Sequence, residues 1–206
     1  METIEKYFTT LTDKQREQLE AIGRLYPEWN EKINVISRKD IGNLWVNHIL
    51  HSLALVKFID PTAGTRMLDM GTGGGFPGIP MAIMLPECRF HLIDRIGKKV
   101  RVAKEIADAI GLENVTFQHG DIGECHDRYD FVVSRAVMRL DALVPLVRRN
   151  VAKENHNRLH NGLVCLKGGD LKDELEATKA AWVDEDVAVY FNEPYFETKK
   201  IIYVPL

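Results

Sequence analysis

From Arg66 onward the chain alternates short apolar runs with longer segments of helical period, and no other feature restricts its fold as much. Residues 67–70, 90–93, 115–118, 131–134 and 163–166 read as strands, and the intervening segments, such as 98–110, read as helices. Strands separated by a helix run parallel, because the helix carries the chain back to the edge where the previous strand began. The chain end breaks the pattern. Residues 187–191 and 200–204 are strand-like runs joined by Asn192-Glu193-Pro194 without room for a crossover helix, so an antiparallel hairpin is expected at the sheet edge. The expected class is α/β, a doubly wound, mostly parallel seven-stranded sheet with an antiparallel terminal hairpin.

Ahead of Arg66 the period is helical. Thr12 and Gln15 have capping-box spacing, with Leu19, Ile22 and Tyr26 following on one face, which predicts a helix over 14–26 that ends against Pro27. Ile41, Leu44, Trp45, Ile49, Leu53 and Val56 predict a second amphipathic helix. Residues 1–60 thus read as an N-terminal helical cap and 61–206 as the sheet domain.

With 206 residues, 45% of them hydrophobic, the chain can bury a core without disulfide or metal staples. Cys88, Cys125 and Cys165 are widely spaced and read as structural thiols. A formal charge of −3 excludes nonspecific coating of nucleic acid by bulk charge, so any such site must be a local patch. No apolar run reaches the roughly 18 residues of a spanning helix. The start, Met1-Glu2-Thr3-Ile4-Glu5, is acidic where a secretory signal is basic, so a cytoplasmic protein without membrane contact is expected. A monomer is the expected state.

The first strand runs into Leu68-Asp69-Met70-Gly71-Thr72-Gly73-Gly74-Gly75-Phe76-Pro77-Gly78, with a helix expected over 79–85. Glycines at such a turn let backbone approach a ligand, and open parallel sheets bind ligands beyond the carboxyl ends of their strands. Gly73-x-Gly75-x-x-Gly78 also fits a dinucleotide fingerprint, a weak pattern alone. Asp69, two residues before the first glycine, suits a cationic amino group better than a pyrophosphate. Asp94 ends the second strand 23 residues past Gly71, where a carboxylate accepts from ribose hydroxyls, and Gly120-Asp121-Ile122-Gly123 after the third strand offers a place for adenine. Each aspartate alone could be a turn or cap residue; their joint occurrence points to a site.

This constellation resembles the class I S-adenosylmethionine-dependent methyltransferases, whose Rossmann-like seven-stranded sheet also ends in a hairpin. More narrowly, Gly71-Thr72-Gly73-Gly74-Gly75-Phe76-Pro77-Gly78-Ile79-Pro80 is similar to the ribosomal RNA small subunit methyltransferase G family. Trp29-Asn30 with Asn34, His48 before Ser52-Leu53, Lys98-Lys99, Ser134-Arg135-Ala136 and Leu166-Lys167-Gly168 follow in that family's order. The resemblance spans nearly the whole chain. It implies methylation of guanine N7 in 16S ribosomal RNA, within the small subunit or its assembly intermediate, with S-adenosylmethionine as donor. Two positions depart from the family pattern: His51 stands where the family often has Asp, and the Gly-Asp-Ile-Gly turn at Asp121 stands where an Arg is often near.

Guanine N7 carries its own lone pair, so methyl transfer to it asks for alignment rather than a general base. The sequence agrees, since Ser134-Arg135-Ala136-Val137 follows the fourth strand where enzymes of this superfamily acting on exocyclic amines place Asn/Asp-Pro-Pro-aromatic. Arg135 is the foremost catalytic candidate, orienting guanine, a phosphate or the methionine carboxylate, with a surface ion pair as the bland alternative. Lys167 is the second, for phosphate contact or merely as a solvated strand end. The cofactor set is Asp69, Gly71, Thr72, Gly73, Gly75, Phe76, Asp94, Asp121, Ile122, Gly123 and Arg135. Lys98, Lys99, Arg101 and Lys104 form one basic cluster and Arg139, Arg148, Arg149, Lys153 and Arg158 another; Lys98, Lys99 and Arg139 are the RNA candidates, against a solvated face as the alternative. Phe76, Trp45 and Tyr7 are stacking candidates, Trp45 fitting core packing better. His48-x-x-His51 and His156-x-x-x-His160 lack a third ligand in range, so no metal is expected. Other readings stay open: a methyltransferase with another acceptor, a noncatalytic ribosome-assembly RNA-binding module, or a nicotinamide oxidoreductase.

Overall fold

A computed structural model describes residues 1–135 and 137–206; Ala136, of the Ser134-Arg135-Ala136 segment, lies outside the described residues. The strands are β1 Arg66–Met70, β2 Arg89–Asp94, β3 Val115–His119, β4 Phe131–Arg135, β5 Gly162–Gly168, β6 Val183–Asp186 and β7 Lys199–Pro205. The helices are α1 Glu2–Glu5, α2 Asp13–Lys32, α3 His51–Ile59, α4 Gly78–Met84, α5 Gly97–Ala109, α6 Leu140–Val147 and α7 Lys172–Ala177. The seven strands lie in the order β3-β2-β1-β4-β5-β7-β6. The first five run parallel and β7 is antiparallel to both its neighbours. The order reverses between β1 and β4, the switch point where open sheets bind ligands beyond their carboxyl ends.

Successive strand residues alternate between two cores. Met67, Phe90, Leu92, Phe131, Val133, Val164 and Leu166 face one, which also takes in Leu19, Ile22 and Tyr26 of α2 and Leu53 of α3. Leu68, Met70, Ile93, Val132, Leu163 and Cys165 face the other, with Leu140, Leu143 and Val144 of α6. The cap is therefore continuous with the sheet's core. Tyr26 Oη donates to Gly74 O (2.8 Å), and Gln18 Nε2 donates to Ile110 O (2.9 Å). No helix among the described residues is long and apolar enough to cross a membrane.

Three expectations are corrected. The α2 capping box forms, but the helix runs through Pro27 to Lys32. Buried Tyr26 and Asn30, one turn apart across the proline, and the Asn30 Oδ1 acceptor for Val35 and Ile36 N–H (both 2.9 Å) outweigh the roughly 3 kcal/mol an internal proline costs. The second amphipathic segment is three pieces: a 3₁₀ turn Ile41–Asn43, a π-helix Leu44–Leu50, then α3. Finally, the terminal pair is β6 with β7, and Val187–Val189 is a 3₁₀ turn. Val187 and Phe191 are buried while Val189 is 70% exposed; a strand would have put all three on one face, whereas a helical turn buries i and i+4 together.

Candidate active site

The turn after β1 is fastened from beneath by one carboxylate. Asp69 is fully buried, its Oδ2 accepting from Thr72 Oγ1 (2.6 Å) and Gly78 N (2.8 Å), while Oδ1 has no partner. Gly78 must lack a side chain here, since a Cβ would sit 2.7 Å from Asp69 Oδ2 and 2.8 Å from Leu92. Burial pushes the Asp69 carboxyl up to about 7, against the opposing pull of Thr72, Gly78 and Arg135.

Above the turn opens a cavity of about 290 Å³, walled by Gly71, Thr72, Gly73, Gly74, Phe76, Asp94, Lys99 and Arg135, with Val35 from the cap. Gly73 has φ +57, and nothing lies within 4 Å of where its Cβ would point, so the turn leaves an open cradle. Asp94 spans the rim: Oδ2 accepts from Gly73 N and Oδ1 from Ile96 N, both at 2.8 Å. Asp69 and Gly75 underlie this wall rather than line it. Asp121 caps its own turn, accepting from Gly123 N (2.7 Å) and pairing with Arg95; these two donors hold its carboxyl below the usual range. Ile122 is buried in the second core.

Arg135, at the end of β4, is the partition of the site. Its guanidinium lies 5.0 Å over the Phe76 ring; Nη1 donates to Asn47 O (3.2 Å) and Nη2 to His48 Nδ1 (3.0 Å). Because Nδ1 accepts, the ring proton is on Nε2, which donates to Asp40 Oδ2 at 2.6 Å. Asn47 Nδ2 donates to Asp40 Oδ1 (2.6 Å). Burial, then the Arg135 charge, lower the His48 pKa to about 4 despite Asp40, so the ring is neutral near pH 7. The π-helix places this relay, carrying Asn47 and His48 together over Asp40. Phe76, packed between Tyr26 (centroids 4.5 Å apart) and Arg135, is 3% exposed and offers no free stacking face.

Beyond Arg135 lies a second cavity of about 590 Å³, and Arg135 and Val137 line both. Its floor includes Lys167, whose Nζ donates to Met138 O (2.5 Å) and Glu174 Oε2 (2.7 Å). Lys167 is thus a paired ammonium rather than a free strand end. Tyr195, before β7, and Lys199, its first residue, line it together with His51.

The sequence model of the family "rRNA small subunit methyltransferase G" matches residues 15–201. The chain belongs to this family. A Ribosomal RNA small subunit methyltransferase G of Phocaeicola vulgatus is 54% identical over 206 residues, covering 100% of this chain and 99% of the relative. That of Porphyromonas gingivalis is 50% identical over 206 residues, covering 100% and 93%. Among solved structures, a SAM dependent methyltransferase from Aquifex aeolicus overlays with a TM-score of 0.57 at 16% identity, over 82% of this chain and 98% of that one. Precorrin-6y C5,15-methyltransferase from Geobacter metallireducens overlays with 0.54 at 15% identity, over 84% and 92%. These two show the sheet to be that of the methyltransferase fold.

To the residues named from the sequence, the structure adds Asp40, Asn47, Glu174, Tyr195 and Lys199 around the site, and it brings His51 into the second cavity. The five added residues belong to no motif read in the sequence, and only folding brings their segments together. Of the basic cluster on α5, Lys99 reaches the first cavity, while Arg101 faces Glu105 and Lys104 faces Asp108 one turn on. Arg139, on the rim of the second, pairs with Asp141 (3.0 Å). Tyr7 is turned to Glu193 and Phe191, and Trp45 packs against Gly23 in the cap. Cys88, Cys125 and Cys165 are buried and free; burial pushes Cys88 up to about 11 and Cys165 up to about 12, leaving neither poised as a thiolate.

Proposed function

We propose that this chain transfers a methyl group from S-adenosylmethionine to N7 of a guanine in 16S ribosomal RNA, as a cytoplasmic monomer acting on the small subunit or its assembly intermediate. The observation that carries the reading is the shared wall: a glycine-turn cavity and a larger, cation-lined cavity meet at Arg135 and Val137. Family membership supplies the substrate class.

The residues present suit the donor. Gly73 leaves room where a side chain would stand, and each oxygen of Asp94 accepts one backbone N–H, keeping lone pairs for ribose hydroxyls. Gly71, Thr72, Gly73, Phe76, Asp94 and Arg135 would hold it, Asp69 fixes the turn, and Asp121, Ile122 and Gly123 would bound the adenine end. When bound, S-adenosylmethionine supplies an electrophilic methyl group on a sulfonium sulfur. Arg135, locked by His48, Asn47 and Phe76, orients the acceptor and excludes water between the cavities. No residue need remove a proton, because guanine N7 attacks with its own lone pair.

The test is transfer of labelled methyl to 30S subunits from cells lacking the protein, with wild-type subunits as control and mass mapping of the product. Label on N7-methylguanine only in the deficient subunits is expected. Cofactor binding without label would move the function to another acceptor or to a noncatalytic role.

A further inference from the structure

Among the described residues, the lining of the second cavity includes a buried polar side chain that the protein leaves without a hydrogen bond. His51, at the start of α3, is 4% exposed, and neither ring nitrogen has a partner. The Asn47 carbonyl one turn back lies near enough to influence its titration, yet no hydrogen bond of ordinary geometry joins them. The ring packs against Tyr195 (centroids 5.6 Å, 81° between planes) and Phe196 (5.7 Å). In such company a phenyl or isobutyl group would fill the space without desolvating two nitrogens. Packing therefore accounts for the ring but not for its polarity.

Burial, followed by the charges of Arg135 and Lys199, lowers the His51 pKa to about 3, so at neutral pH the ring offers one N–H and one bare nitrogen. A phosphate would draw on the neighbouring cations instead. A nucleobase edge suits a neutral ring. Guanine carries the acceptor O6 beside N7, so a guanine with N7 turned to the Arg135 wall brings O6 along the same side. Adenine would present an amino donor there, toward a cavity already supplied with Arg135 and Lys199 donors.

We infer that His51 is the specificity-determining residue of the acceptor cavity, donating a ring N–H to O6 of the guanine whose N7 is methylated. The inference rests on the guanine-N7 reading above. Wild type, His51→Phe, His51→Leu and His51→Gln are compared on deficient 30S subunits for kcat and KM, with melting temperature and affinity for S-adenosylhomocysteine measured on each.

His51→Phe is expected to keep cofactor affinity, to melt at or above wild type, and to lose roughly 10- to 100-fold in kcat/KM for subunits. His51→Gln retains a donor and should recover much of that loss. If the Phe variant does not fold, the Leu variant removes the same hydrogen bond and carries the comparison. Wild-type turnover in a folded Phe or Leu variant, or losses that track melting temperature and cofactor affinity in all variants, would make His51 a packing residue and overturn the inference. A wild-type enzyme that binds the cofactor but leaves guanine N7 unlabelled would sink the function first and this inference with it, and the wild-type arm identifies that case.

Discussion

The two cavities that meet at Arg135 are built in opposite ways. The first is a backbone site: the turn 71–76 supplies half of the residues that wall it, and its shape depends on what is missing at Gly73. The second is a side-chain site, assembled from Asn47, His48 and His51 of the cap, Arg135 of β4 and Met138 after it, Lys167 of β5, Glu174 of α7, and Tyr195 before β7 with Lys199 at its start. Errors in the first come from added atoms, and errors in the second from lost partners. Arg135 belongs to both, so its removal has the largest expected effect.

Arg135→Ala should lower single-turnover methyl transfer by roughly 100- to 1,000-fold and weaken both cofactor and subunit binding. Arg135→Lys should recover little, because one ammonium cannot reproduce the fork that meets Asn47 O and His48 Nδ1 together. Calorimetry with S-adenosylhomocysteine and filter binding with subunits separate the two losses. If only one affinity falls, Arg135 serves one cavity and the symmetry of the comparison breaks. Gly73→Val tests the backbone side alone. A β-branched residue at φ +57 is strained by roughly 1–2 kcal/mol and fills the cradle, so cofactor affinity should fall about 10- to 100-fold with subunit affinity unchanged.

The same contrast explains what was legible in the sequence. The parallel strands, the terminal antiparallel pair, the glycine turn and Asp94 at its rim depend on local period or on spacing along one βαβ unit, and those are written along the chain. The second cavity is not, because Asn47, His51, Glu174 and Tyr195 become neighbours only through tertiary packing. Even residues named from the sequence carried hidden geometry. Asp69, Asp94 and Asp121 are three aspartates at or just beyond successive strand ends, but one fastens the turn from below, one lines the cavity and one caps a turn against Arg95. Pro27 and residues 187–191 misled local rules for the same reason: burial of Asn30, Val187 and Phe191 outweighs propensity.

Smaller effects sharpen the relay behind Arg135. Asp40→Ala removes the acceptor that holds His48 as its Nε2–H tautomer, so Nδ1 is no longer committed to Arg135, and turnover should fall about 10-fold. Asp40→Asn keeps an acceptor and should restore most of it. Unchanged turnover in the Ala variant would show that Asn47 and Phe76 suffice to hold the guanidinium. Asp69 offers a pH test on the backbone side. Its carboxyl is raised from 3.8 to about 7, so its favourable contribution is complete below 3.8 and is lost as pH rises through 7. Asp69→Asn still accepts from Thr72 and Gly78, and should match wild type at pH 4 but exceed it at pH 8, by up to roughly 4 kcal/mol in denaturant unfolding. His48 runs the other way: lowered from 6.5 to about 4, it costs stability as pH falls through that window, and His48→Phe should flatten the acid limb.

The smallest effect belongs to α5, where a single helix carries both kinds of lysine. Lys99 reaches the wall of the first cavity, whereas Lys104 is exposed and held by Asp108 at 2.5 Å. A cation already neutralised by its neighbour releases few counterions from RNA, so Lys104→Ala should leave both subunit affinity and its salt dependence unchanged. Lys99→Ala should reduce the slope of log affinity against log salt by about one if that ammonium meets a phosphate. Equal slopes for the two variants would mean that the helix attracts RNA through its summed field, and that the cavity edge, for all its fixed backbone, contributes no discrete phosphate contact.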